Sequence, residues 1–428
     1  MADIYSFRGY RYSQAAGNPD QLVTQPYDKI SPQLQQDYYA RSPYNMVRII
    51  KSLEKNEDPV SEYPEARRLV RQWFDSEILM RDTTPALYVY TQEFEIDGET
   101  HTRRSFIGLL QLDETGAGVR AHEKTLDEPK QDRLRLLRSI EANDELIFML
   151  YDDPGLEVDR TLAPNSAPLV EARDDFGVAH RMFAVAQPDR IEHVRRFLLE
   201  RTLYIADGHH RFETSLNYLR ECRARGWKAA AVESFDKRLV ACVALQDPGL
   251  KILPTHRLVR NIDGFSAEEF LRQAAEHFDV AHLASRSELF DAMRGAGRSV
   301  IGFYAGGGRF YALGLKDEAA TGRYLPAASD AYRRLDVVVL HVLLLERLLG
   351  IDDARLAAQT NVEYARDRNG ALDRVDAGNC QMAFLLNSTQ VRQVHDVASA
   401  GEKMPQKSTD FYPKMITGLV LSRMEIDK

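Results

Sequence analysis

A chain of 428 residues is too long for one ordinary hydrophobic core, and at roughly 100–200 residues per domain it implies two or three domains. Hydrophobic residues at 44% and charged residues at 28% exclude intrinsic disorder, and a net charge of -8 argues against a polyanionic nucleic-acid partner. The opening Met1-Ala2-Asp3-Ile4-Tyr5 lacks a secretion signal, no window holds the ~18 apolar residues of a membrane span, and the scattered Cys222, Cys242 and Cys380 form neither a disulfide framework nor a zinc pattern, so a cytoplasmic protein with no membrane partner is expected.

The first 82 residues read as mixed and mainly helical. Pro26-Tyr27-Asp28-Lys29-Ile30-Ser31-Pro32 is a turn in which Ser31 can cap a helix with Pro32 at its first position. A stronger helix is predicted over 64–78. Residues 87–96 are rich in β-branched and aromatic side chains, Asp97-Gly98 follows, and 102–112 resumes the pattern, which predicts a tight hairpin. A charged helix (126–142), two strands (146–151 and 180–185), a helix (191–200), a strand (202–206), the loop 207–211, a helix (212–225) and an apolar strand (239–245) come next. Beyond residue 250 the alternation continues as a helix at 265–278, strands at 299–304 and 310–315 around Gly306-Gly307-Gly308, a helix at 335–349, a strand at 382–387, a helix at 389–400 and a last strand at 418–423. The expected fold is mixed α/β, with an N-terminal segment (1–82) packing on the core, a phosphate-loop domain (83–250) and a C-terminal α/β domain (251–428).

Asp207-Gly208-His209-His210-Arg211 carries the clearest chemistry. A glycine between strand and helix lets the backbone approach a ligand, and the first helical turn presents N–H groups and a partial positive charge to anionic oxygen. His209, His210 and Arg211 add hydrogen-bonding or cationic heads, and Arg211 can grip a phosphate bidentately. Asp207 would repel bare phosphate, so it either holds Mg²⁺ or orients a histidine. A zinc pair at His209-His210 and a merely structural loop are the alternatives.

Three further groups are candidates. His122-Glu123-Lys124-Thr125 precedes a helix; Glu123 can serve as base and Lys124 can meet a phosphate, while Thr125 with Glu128 has capping-box spacing. Lys407, Ser408, Thr409 and Lys414 lie on a stretch bracketed by Pro405 and Pro413, suited to phosphate or carboxylate, or simply a basic surface loop. His256 and Arg257, in Pro254-Thr255-His256-Arg257, can reach a substrate or sit as buried structural residues. The chain has no GxxxxGK[ST] loop, GxSxG elbow, HExxH motif or dinucleotide fingerprint.

Tyr204 to Arg211 resembles the signature of a bacterial family, domain-of-unknown-function family number 1015. Pro26-Tyr27-Asp28, His122 to Thr125, Leu253 to Arg257, Met404 to Thr409 and the continuation through Lys414 to Leu419 extend the resemblance from about residue 26 to 420. The Asp-Gly-His-His-Arg loop is also similar to one in the ParB and sulfiredoxin superfamily, whose members include kinases acting on free serine; there the loop faces nucleotide phosphates and a glutamate is the base. The resemblance implies a ParB/sulfiredoxin-like lobe, ATP or ADP with Mg²⁺, and phosphoryl transfer to a small hydroxyl substrate. In that reading His122, Glu123, Asp207 and His210 are catalytic, and Gly208, His209, Arg211, Lys407, Ser408, Thr409 and Lys414 hold phosphate. A nucleotide-binding regulator without turnover and a metal-dependent hydrolase or nuclease are the other readings.

Overall fold

Ile4–Tyr5 (β1) lies against a long hairpin, Leu87–Ile96 (β2) and Glu99–Gln111 (β3). Asp97 and Gly98 take φ of 52° and 81°, as a two-residue turn requires. Val119–Ala121 (β4), Ile147–Tyr151 (β5), Val170–Arg173 (β6), Ala179–Val185 (β7), Leu203–Asp207 (β8) and Lys237–Ala244 (β9) complete a nine-stranded mixed sheet. Its order is β4-β8-β5-β9-β3-β2-β7-β6, with β1 on β3. Pairing is parallel at β8–β4 and at β9–β5 and antiparallel elsewhere. The computed structural model describes all residues except 54–62, 122, 124–126, 295–298 and 359.

Helices cover the sheet. Pro32–Arg41 (α1) starts as read: the Ser31 hydroxyl accepts from the Leu34 amide, and Pro32 stands in the first turn. Pro64–Asp75 (α2) turns Ala66, Val70, Trp73 and Phe74 inward, where they meet Leu136 and Ile140 of Asp127–Ile140 (α3) in one apolar cluster. Pro188–Leu199 (α4) and His209–Ala224 (α5) bury Val194, Leu198, Phe212 and Leu219 against Ile147, Met149, Ile205 and Val240 of the sheet. Lys130–Glu213 and Arg138–Glu221 ion pairs tie α3 to α5.

The chain divides into two units. The first comprises 1–121, 125–251 and Pro413–Lys428; the second comprises 122–124 and Ile252–Tyr412. Reading 251–428 as one domain therefore needs correction. The C-terminal residues belong to the first unit, where Thr417 exchanges backbone hydrogen bonds with Thr24, and Leu421 with Tyr10.

In the second unit, His256–Val259 (β10), Phe278–Leu283 (β11), Val300–Tyr304 (β12), Phe310–Leu315 (β13), Val362–Ala365 (β14) and Met382–Leu385 (β15) form a sheet of order β11-β13-β12-β15-β10-β14. The glycine run turns the β12–β13 hairpin. The expected helix over 335–349 is present, but it widens into a π-helix at Leu340–Glu346. The expected strand over 418–423 shrinks to Ser422–Arg423. Among the described residues no helix is long and apolar enough to cross a membrane.

Candidate functional site

The site grows out of an irregularity in β8. Tyr204 and Ile205 face Leu150 and Met149, but Phe148 is met by Asp207, so Ala206 is an extra residue in the strand. A bulge of this kind re-aims the side chain that follows it. Gly208 then takes a left-handed conformation (φ 95°, ψ 27°) and serves as N-cap of α5, with no side-chain cap. A Cβ at Gly208 would lie 3.1 Å from both Nε and Nη2 of Arg211. The backbone conformation favours glycine, and any Cβ would also press the Arg211 guanidinium out of place by a few tenths of an ångström.

Asp207 sits between two cations. Lys414 Nζ donates to its Oδ2 at 2.9 Å, and Arg211 Nη2 lies 3.8 Å from Oδ1. Burial pushes its pKa up, but Lys414 and Arg211, with a smaller pull from Lys29, overcome this and hold the carboxyl far below the usual range. The stability this carboxylate contributes is therefore complete above the ordinary carboxylate pKa of about 4 and lost as pH falls through the depressed folded-state value. Thermal melts of wild type and Asp207→Asn check this: their gap stays constant down to about pH 4 and closes below it. A gap that already narrows between pH 7 and 5 would refute the assignment.

Arg211 departs from the sequence reading. It does not reach outward to grip an anion. Its guanidinium folds back over Gly208, is 6% exposed, and donates from Nη1 to the Leu146 carbonyl at 2.5 Å. Glu145 Oε1 stands 3.9 Å from the same nitrogen. The reason is the phase of α5: Arg211, Phe212, Ser215 and Leu219 all fall on its buried face. Magnesium at Asp207 does not fit either. An ammonium at 2.9 Å and a guanidinium at 3.8 Å already balance that carboxylate and would repel a dication. His209 is buried and His210 half-buried in the first turn of α5. Among the described residues no three His, Cys, Asp or Glu side chains are placed to hold a metal.

Sequence reasoning missed the residues that set these cations. Glu145 is buried, accepts from the Tyr27 amide at 3.1 Å and faces Arg211, so the turn Pro26-Tyr27-Asp28 is part of this site. Arg238 donates to Asn143 Oδ1 and to the Glu145 carbonyl, fixing the acidic turn. Arg103, on the inward phase of β3, donates to Gln92 Oε1 and to the Pro413 carbonyl, while Gln92 Nε2 donates to the Lys414 carbonyl at 2.8 Å. Together they fix the backbone that carries Lys414. The available signal was the alternation itself: Thr102 and Arg104 are exposed and Arg103 between them is not.

The remaining candidates collect in the second unit. Glu123 forms a parallel bridge with Met404, and its charge acts on Tyr364 of β14. Arg257 donates to the Lys407 carbonyl at 3.1 Å. Lys407 is exposed and left-handed (φ 58°). Ser408 commits its hydroxyl proton to the Pro405 carbonyl, which weakens its case as a phosphate donor, and Thr409 is half-buried. His256 is buried, accepts from the Leu386 amide, and is pushed down to about 4 by burial and by Arg257. His122, Lys124 and Thr125 lie outside the described residues.

A groove of about 590 Å³ runs along α2, lined by Arg67, Arg68 and Arg71 among others. It includes no residue of the loop 207–211.

The family model described as "Protein of unknown function (DUF1015)" matches residues 4–338. The chain belongs to that family. The match includes β8, the loop and α5 of this DUF1015 chain and ends before Met404. No curated protein matches it. Similar solved structures include a conserved hypothetical protein from Pyrococcus furiosus (12% identity, 70% of this chain and 91% of that one, TM-score 0.34). A free serine kinase in complex with AMP is another (12%, 71% and 89%, 0.35), as is SbnI with a C-terminal truncation from Staphylococcus aureus (12%, 73% and 86%, 0.34). Likeness at these TM-scores carries no argument about activity.

Proposed function

We propose that this DUF1015 chain binds the phosphate of a nucleotide at the start of α5 and transfers a phosphoryl group to a small hydroxyl substrate. One observation carries the binding reading: a half-buried ammonium, Lys414 Nζ, is held 2.9 Å from Asp207 Oδ2, and Asp207 immediately precedes the glycine N-cap of a helix with no side-chain cap. Helix amides and a nearby cation are what an anionic oxygen needs. In this scheme Lys414 keeps its bond to Asp207 and offers a second N–H to the phosphate, Arg211 shapes the loop through Glu145 and Leu146, and His209 and His210 line its first turn. ATP or ADP is the nucleotide to test, with charge met by the chain's own cations. The acceptor step draws its support from the sequence pattern alone, with Glu123 as base. Three buried unpaired cysteines suit a reducing cytoplasm.

Calorimetric titration with ATP, ADP and AMP, in EDTA and then in magnesium, tests the reading. Lys414→Met is expected to weaken binding by about 1.5–3 kcal/mol, the range for a charge-assisted hydrogen bond; unchanged affinity would remove Lys414 from the site. ADP release that depends on added serine or another hydroxyl compound, and that Glu123→Gln abolishes without loss of binding, supports transfer. Binding without such release favours a regulator.

A further inference from the structure

A buried polar layer lies beneath the segment that carries Lys414. Tyr90 and Gln92 of β2, His180 of β7 and Arg103 of β3 share one face of the first unit's sheet and are each 1% exposed or less. Gln92 is the register partner of both His180 and Arg103. Polar side chains so far from water persist where they find partners. The Tyr90 hydroxyl lies 2.7 Å from His180 Nδ1, and His180 Nε2 stands 3.3 Å from Asp174 Oδ2, a charge contact rather than a well-aligned hydrogen bond. Asp174 Oδ1 accepts from the Phe176 and Val178 amides of the β6–β7 turn, while Oδ2 accepts from Gln25 Nε2 at 2.9 Å. Three ties bind this layer to the segment. Gln92 Nε2 donates to the Lys414 carbonyl at 2.8 Å, the Ile416 amide donates to the Tyr90 hydroxyl, and Thr24, the neighbour of Gln25, exchanges backbone hydrogen bonds with Thr417.

The proton positions follow from what each group can do. A carboxylate only accepts, so Asp174 keeps the imidazole proton on Nε2. Nδ1 then accepts the Tyr90 proton, and the Tyr90 oxygen is left to accept from Ile416. Moving the ring proton to Nδ1 would set two donors, N–H and O–H, against each other. We propose that His180 is a positioning residue for the phosphate site: its Nε2–H tautomer, set by Asp174, orients the Tyr90 hydroxyl and thereby fixes residues 414–417, from which Lys414 meets the loop 207–211. Burial pushes the His180 pKa down despite the pull of Asp174, so the ring stays neutral at physiological pH. All of these residues belong to the first unit. The effect on ligand affinity rests on the nucleotide reading above; the effect on the segment does not.

Asp174→Asn tests the proposal with almost no change in volume. Its Oδ1 still accepts from the turn amides, but an NH2 replaces Oδ2, so Nε2 becomes the acceptor and the ring proton moves to Nδ1. Nitrogen NMR of the His180 ring in the full chain is expected to show Nε2–H in the wild type and Nδ1–H in Asp174→Asn. Amide exchange at Ile416 and Thr417 is expected to quicken about tenfold in that variant, as for the loss of one hydrogen bond, with the amides of β9 unchanged. ATP affinity falls several-fold alongside. Tyr90→Phe, which removes the hydroxyl and leaves Asp174 in place, is expected to loosen the same two amides and weaken ATP equally while the proton stays on Nε2; it also supplies the test should Asp174→Asn fail to fold. An Nδ1–H tautomer in the wild type, or exchange that quickens equally in β9, overturns the proposal. Full ATP affinity in a variant whose segment has loosened overturns the link to the site. A wild type that binds no nucleotide refutes the phosphate reading alone, and the tautomer and exchange results then decide whether His180 positions the segment.

Discussion

Replacing Arg211 with methionine is expected to destabilise the first unit by about 3–5 kcal/mol, the range for removing one partner of a buried ion pair. Arg211 and Glu145 are 6% and 2% exposed, and Glu145 has Asp144, also buried, as its neighbour in sequence. Without the guanidinium the acidic turn keeps its desolvation cost and loses its nearest cation, and the Leu146 carbonyl loses its donor. Urea denaturation of wild type and variant gives the difference. The double variant Arg211→Met/Glu145→Gln recovers part of the loss, because it removes the stranded charge as well. A single-variant loss below about 1 kcal/mol, the value of an exposed pair, would show that solvent rather than Glu145 compensates this arginine.

Arg103→Met is the second large effect. It leaves Gln92 Oε1 and the Pro413 carbonyl without their donor, at about 1–3 kcal/mol for each buried acceptor, or roughly 2–6 kcal/mol together. It also releases the backbone that aims Lys414. Nucleotide affinity therefore falls even though residue 103 touches no ligand in the proposed scheme, and amide exchange quickens at Lys414 and Met415. Retained affinity with a simple loss of stability would restrict Arg103 to a structural part.

The local grammar of the chain was legible. Asp97-Gly98 between two β-rich runs, Ser31-Pro32 before a helix, and the strand–glycine–helix step at Leu203–Asp207 and His209–Ala224 each have a short-range physical cause, and each is in the structure. What the sequence does not carry is partner choice. Arg211 in a His-His-Arg run reads as outward-facing. Only the register of β5 beside β8 places Leu146 and Glu145 against it. The stretch from Lys403 to Lys414 reads as one basic loop, yet the chain passes from the second unit to the first between Tyr412 and Pro413, so Lys407 and Lys414 serve different surroundings. The π-helix was equally hidden: 337–345 is apolar at every position but His341, and an all-round apolar run has no phase from which widening could be read.

The ion pair at the proposed phosphate site has a temporal side. Asp207 and Lys414 are 207 residues apart in the chain. At translation speeds of about 5–20 residues per second, the carboxylate leaves the ribosome on the order of 10–40 s before its ammonium partner. During that interval the helix start is formed from residues already made, while its local charge balance leans acidic. The charge balance of the helix start is thus set only once Lys414 has been made.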